Sequence, residues 1–377
     1  MKKPYSPETL AGQRGPILVL VILAASAFMA ALAPAAPANT QPGSTAAQGA
    51  DVLSQARQVF GPPLPQVISS PTNPVTSEKV RLGKMLFYET RIATDGVVSC
   101  AKCHPFERYA ADHLKTSIGN DCKKTPRNAP TILNAAGHIS SHWSGNRKDV
   151  EDQASQALAR PGPFGAATYQ QAESALAAIS GYLPLFQAAF PGDKDPITAQ
   201  NFGAAVGAFE RTLVTPSPFD EYLTGGKKPG QAQQGGNAGQ HRMSQNQLDG
   251  LKTFLETGCT GCHNGTYIGG QMYQRFGMVE PYWHYTNGES TDVGRYDVTK
   301  QESDRYVFKV PSLRNVEKTA PYFHDGSVAN LTDAVWIMGK VQLGKDLAEP
   351  EKQKIAAFLA SLTGALPDDA LKLPILP

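Results

Sequence analysis

Two short stretches govern what this chain can become: SCAKCHP, with Cys100, Cys103 and His104, and GCTGCHNG, with Cys259, Cys262 and His263. Each reads Cys-x-x-Cys-His, the signature of covalent c-type haem attachment. The spacing follows from the chemistry. Two thiols add to the two vinyl groups of a haem, and the next residue places an imidazole beneath the iron. A redox Cys-x-x-Cys needs no following histidine, and a zinc site needs four ligands in one cluster. The motifs take four of the five cysteines. They imply two haems, and their wide separation implies a domain for each.

Lys2, Lys3 and Arg14 precede an apolar run from Ile17 to Ala33, and Ala36-Pro37-Ala38 follows as a small-residue site. This pattern predicts a signal peptide over residues 1–38, cleaved after Ala38; the alternative is an uncleaved anchor at the lower limit of a membrane span. Export places the protein in the periplasm, where c-type haem is assembled. Residues 39–62 read as a linker. Lys and Arg number 35 against 33 Asp and Glu, so no basic field predicts nucleic acid as a partner.

Helical periodicity precedes each motif. EKVRLGKMLFYE places Val80, Leu82, Leu86 and Phe87 for burial, and SQNQLDGLKTFLETGC opens with a capping box, Ser244 to Gln247, before Leu248, Leu251, Phe254 and Leu255. Near the end, IAAFLASL sets Ile355, Phe358, Leu359 and Leu362 on one helical face. Thr224–Arg242, rich in Gly and Gln, reads as a flexible surface segment. With little strand pattern, the expected fold is mainly α. It comprises two c-type cytochrome domains, 63–215 and 216–377, each with one covalently attached haem.

A haem with both axial sites filled carries electrons, whereas one with an openable site can meet a small molecule. Methionine as sixth ligand raises the potential of a cytochrome c iron. The methionines beyond residue 38 are Met85, Met243, Met272, Met278 and Met338. Met338 lies far enough past His263 for the chain to return over that haem, yet by spacing alone it is equally a core residue. The first domain has no methionine after Cys103, and its candidate sixth ligands are His113, His138, His142 and Cys122. One closed and one openable haem predict redox catalysis fed by electron transfer.

PRNAPTILNA, FERTLVTPSPFD, GQMYQRFGMVEPYW, YVFKVPSLRNVEKTAPYFHDGS and AVWIMGKVQLG resemble segments of the bacterial dihaem cytochrome c peroxidases, from about residue 63 to the C-terminus. The MauG-type dihaem enzymes share that fold. The resemblance implies reduction of hydrogen peroxide to water at the N-terminal haem, with electrons delivered by a small cytochrome c or cupredoxin to the C-terminal haem. It implies Met338 as sixth ligand of the second haem, Trp143 as an electron relay between the haems and Gln153 in the peroxide pocket. It further implies a calcium ion between the domains at Asn128, Thr319 and Pro321, the last two through backbone carbonyls, since a hard cation takes oxygen. Family members often form homodimers.

Two departures from that pattern bear on mechanism. In SIGNDCKK, Asn120 stands in the peroxide pocket where the family carries a histidine that ligates the resting first haem. A carboxamide is a poor iron ligand, which implies water or nothing in the sixth site. Cys122, flanked by Lys123 and Lys124, is the alternative, as a thiolate ligand or a reactive thiol. Further along, no carboxylate lies between Gln153 and Glu173, where the family has its acid–base glutamate. Arg160 in that gap can stabilise charge but cannot act as a base. Three readings follow: a cytochrome-c peroxidase, a MauG-like oxidase of a partner protein, and a non-enzymatic dihaem electron carrier or redox sensor. The peroxidase reading ranks first, and the missing acid raises the third above the second.

Overall fold

Capped apolar helices make up most of the fold. The computed structural model describes residues 43–159, 165–226, 243–286 and 292–377, and for residues 43–50 the backbone alone. The expected signal peptide, Arg160 and most of the Gly/Gln-rich segment lie outside the described residues. No described helix is long and apolar enough to cross a membrane. The described helices are α1 (Gly43–Phe60), α2 (Ser77–Tyr88), α3 (Cys100–Cys103), α4 (Val150–Leu158), α5 (Tyr169–Ala178), α6 (Tyr182–Ala189) and α7 (Ala199–Glu210), then α8 (Pro218–Leu223), α9 (Gln245–Thr257), α10 (Tyr296–Thr299), α11 (Leu331–Leu343) and α12 (Glu349–Ala360). Among the described residues one two-stranded sheet forms, β1 (Tyr273–Arg275) antiparallel to β2 (Val307–Lys309), with Tyr273 opposite Lys309.

One core gathers around α7, which packs on α2 and α4. Leu82, Leu86 and Phe87 of α2 turn inward, and the Phe87 ring lies 5.3 Å from Phe106 and 5.6 Å from Phe209. Gly83 permits the close crossing, because a Cβ there would meet Ala205 O at 1.9 Å. The second core pairs α9 with α12 by the same device: a Cβ on Gly250 would meet Lys354 O at 1.9 Å. The capping box at Ser244 forms, with Ser244 N donating to Gln247 Oε1 at 2.8 Å and Gln247 N to Ser244 Oγ at 3.3 Å. Leu251, Phe254, Ile355, Phe358, Leu359 and Leu362 are buried in this core, while Leu248 and Leu255 pack against it.

Much of the segment read as a linker is α1. Its Ala56 and Phe60 are fully buried, and the Phe60 ring meets Phe219 edge-on at 5.2 Å. The apolar partners of Phe60 come from α8, α9 and α12, far along the chain, so local composition around residue 60 gave no sign of burial.

Two buried polar ties fix the loops around the motifs. Arg314 forks onto Asp220 with both bonds at 2.8 Å, and both side chains are essentially inaccessible. Asn134 and Asn315, each in the left-handed backbone region that asparagine tolerates, both donate to Thr215 Oγ1, at 2.8 and 2.9 Å.

Candidate functional site

The first Cys pair bounds α3, and the second spans the 3-10 turn Cys259–Gly261 and its C-cap, Cys262. The turn closes identically in both: His104 N donates to Cys100 O and His263 N to Cys259 O, each at 3.0 Å. One cavity of about 550 Å³ is lined by Cys100, Cys103 and His104 and also by Cys259, Cys262, His263 and Met338. That volume falls within the roughly 300–1,000 Å³ range of cofactor sites.

The two imidazoles are prepared as ligands. His104 Nδ1 lies 3.1 Å from Ala110 O, which places the proton on Nδ1 and leaves Nε2 for a metal. Burial lowers the His104 pKa and pulls that of His263 down to about 4. Both rings are therefore neutral at pH 7, the form a metal binds. Nδ1 of His263 is buried with no partner in good geometry, although the Ile268 and Pro311 backbone nearby opposes part of the burial effect. The cysteines form no disulfide. Burial pushes the Cys100 thiol up to about 12 and Cys259 up to about 11, opposite to the lowered pKa of a thiol-redox Cys-x-x-Cys. These features fit covalently held haem.

Met338 projects from α11 into the cavity, while its neighbours Val335 and Ile337 join the cores. None of the other four methionines beyond residue 38 lines the cavity; Met85 and Met243 are core residues and Met278 is exposed. Gln153, on α4, lines the cavity, as do His138 and His142. So do Trp143, Asn128, Thr319 and Pro321, which the fold draws together from distant segments. Trp143 Nε1 donates to Asn128 O at 2.9 Å, and Asn128 N donates to His324 O at 2.8 Å. Asn128 Nδ2 donates to Leu114 O at 2.9 Å, which leaves its Oδ1 free to accept.

In the SIGNDCKK loop, Ser117 lines the cavity. Neither Asn120 nor Cys122 is among the lining residues. Asn120 is buried, and its Nδ2 donates to Gly165 O at 3.0 Å while Oδ1 has no partner. Gly165 does line the cavity, so Asn120 braces that wall from behind. Cys122 is exposed at the loop tip. Lys123, expected to favour its thiolate, pairs instead with Asp121 at 3.0 Å on the surface. His113 is exposed as well.

Two carboxyl side chains that the motifs did not single out line the cavity, and their surroundings push them apart. Burial raises Glu89, but Arg91 and the Tyr182 hydroxyl, donating at 2.7 Å, outweigh it and hold the group below the usual carboxylate range. Glu210, at the end of α7, is pushed up to about 8 by burial and by the charge of Glu151. This shift favours its protonated form at neutral pH. The visible signal was a lone glutamate closing the apolar run NFGAAVGAFE. Two carboxyls held in opposite states in one cavity are candidates for an acid and a base.

Fold and cavity together define a mainly helical c-type haem protein with two attachment motifs. The sequence profile described as di-haem cytochrome c peroxidase matches residues 77–228. A cytochrome c551 peroxidase of Nitrosomonas europaea is 40% identical over 81% of this chain and 85% of its own length. One from Pseudomonas aeruginosa is 41% identical over 87% and 90%. The crystal structure of a MauG-like protein associated with microbial copper homeostasis superposes with a TM-score of 0.68 at 27% identity, covering 82% of this chain and 97% of that one. The chain belongs to the di-haem cytochrome c peroxidase family.

Proposed function

We propose that this chain reduces hydrogen peroxide to two waters, consuming two protons and two electrons delivered by a small cytochrome c or a cupredoxin. The observation that carries this reading is the shared cavity, on which both attachment motifs, Gln153, Trp143 and a single methionine converge. The haems, when bound, supply the redox chemistry. His104 and His263 would hold them through imidazole nitrogen, and Met338 would be the second ligand of the haem at Cys259 and Cys262, a ligand that raises the potential as suits an electron acceptor. Trp143 relays electrons between the halves, and Gln153 orients the peroxide by hydrogen bonding. Glu210, held protonated, stands in for the acid–base glutamate missing after Gln153.

The same reading divides the chain into haem domains 63–215 and 216–377 and exports it to the periplasm behind residues 1–38. It also places a calcium ion at Asn128 Oδ1 and the Thr319 and Pro321 carbonyls. Amide and backbone carbonyl oxygens are among the ligands that calcium takes. A MauG-like oxidation of a partner protein draws support from the structural likeness at a TM-score of 0.68. Donor choice separates the two. Peroxide-dependent oxidation of a pre-reduced small cytochrome c by the calcium-loaded holoprotein, on the order of 1–10³ per second, is the expected result. A rate no better than free haem would overturn the peroxidase reading.

A further inference from the structure

A buried lysine without an anion is the least explained feature of the cavity wall. Lys309, on β2, is buried, and burial alone pulls its ammonium down to about 8. Of its three donors, one reaches Ser140 O at 2.7 Å and a second faces His138 Nδ1 at 3.5 Å. Among the described residues no carboxylate is paired with it. The two carboxyls lining the same cavity are engaged elsewhere: Glu89 binds Arg91 and Tyr182, and Glu210 lies by Cys100. His138 adds a second open valence, since its Nε2 is buried with no partner. An uncompensated ammonium in a protein interior costs several kcal/mol, and a cation beside an unsatisfied imidazole nitrogen makes a receptor for a carboxylate.

The position of the pair names the anion. Ile139 N donates to Gly270 O at 2.9 Å and Gly270 N to Val310 O at 2.8 Å. A Cβ on Gly270 would meet the His138 ring at 2.4 Å, and one on Gly269 would lie 3.2 Å from His263 Nδ1. His138 and Lys309 therefore stand on the wall that the chain builds directly after the second attachment motif, facing a cavity that must admit a haem with its propionates. We propose that Lys309 and His138 together hold a propionate of the haem attached at Cys259 and Cys262. The assignment rests on the two-haem reading above, and both are positioning residues that act on the haem through its carboxylate.

The test uses holoprotein shown by mass and pyridine haemochromogen to carry two covalent haems, a check that separates failure of this proposal from failure of the haem reading. Midpoint potentials of both haems are measured by spectroelectrochemistry for wild type, Lys309→Met, Lys309→Arg and His138→Gln, together with the propionate bending bands in resonance Raman. Loss of the ammonium leaves the propionate uncompensated and favours the ferric state. Lys309→Met is expected to lower the potential of the Met-ligated haem by about tenfold in its reduction equilibrium, about 59 mV, and to shift its propionate band. The other haem changes less, and Lys309→Arg stays close to wild type. Three results would overturn the proposal: no differential shift, an equal shift in Lys309→Arg, or a shift confined to the haem at Cys100 and Cys103. Should Lys309→Met not load both haems, His138→Gln carries the test, with a smaller downward shift expected and an unchanged potential and band overturning it.

Discussion

Glu210 shows how burial, reinforced by a neighbouring carboxylate, changes the chemistry of an ordinary side chain. Its carboxyl has a folded pKa of about 8 against an ordinary 4.5, so the folded state binds the proton more tightly than the unfolded chain. The sign is that of a raised pKa on an acid: this group's contribution is most favourable below pH 4.5, and stability is lost as pH rises towards 8. Glu210→Gln keeps the shape of the protonated form and removes that loss. Its melting temperature is expected to exceed wild type above pH 8, with the gap closing below pH 5. If Glu210 is the proton donor, the same variant loses peroxide turnover by about 10²–10⁴-fold while retaining both haems. An unchanged rate would return the acid's role to another group. On the proposed reading of Met338 as sixth ligand of the second haem, its replacement by His would exchange thioether for imidazole. The potential of the second haem is expected to fall, read by the same redox titration; a potential equal to wild type would mean that Met338 is a wall residue and not a ligand.

Helix pairs carry the motifs, and each pair depends on one glycine. Gly83 sits against the Ala205 carbonyl and Gly250 against that of Lys354, backbone atoms that cannot swing aside as a side chain can. Gly83→Ala and Gly250→Ala each force the pair apart, at a cost of about 1–3 kcal/mol for overpacking, which outweighs the helix-propensity gain of up to about 1 kcal/mol. Both variants are expected to melt lower in thermal denaturation, and a raised melting temperature in either would refute the close-crossing account. The helices themselves were readable before the fold was known. The capping box of Ser244 and Gln247 and the spacing of Leu251, Phe254, Ile355 and Phe358 are local rules, and the structure obeys them. The short β1–β2 ladder was not readable, since YQR and VFK carry no alternation of their own and pair only because the loops around His263 and Trp143 bring them side by side.

On the scale of the whole molecule, long-range polar ties decide how the motif-bearing segments face one another. The Arg314–Asp220 pair is the most buried of them: burial pushes Asp220 up, and the guanidinium outweighs this and holds it below the carboxylate range. Arg314→Met leaves that carboxylate unpaired, and a destabilisation of about 3–5 kcal/mol is expected, measured by denaturant titration of the holoprotein. A loss within experimental error would show that the pair contributes nothing beyond its hydrophobic replacement. What the sequence determined by itself was everything with a short-range cause. The Cys-x-x-Cys-His chemistry and the capped helices rest on residues within a few turns of each other, and Met338 was a candidate by its distance past His263 and by resemblance. Tertiary structure alone decided which side chains share one cavity. It turned Met338 inward while burying Met85 and Met243, set Asn120 behind Gly165 and left Cys122 in solvent. It also buried Phe60 of an apparent linker, raised Glu210 and stranded Lys309 without a counter-charge. Desolvation is the common reason. It depends on what the rest of the chain places around a group, and no local window of sequence contains that information.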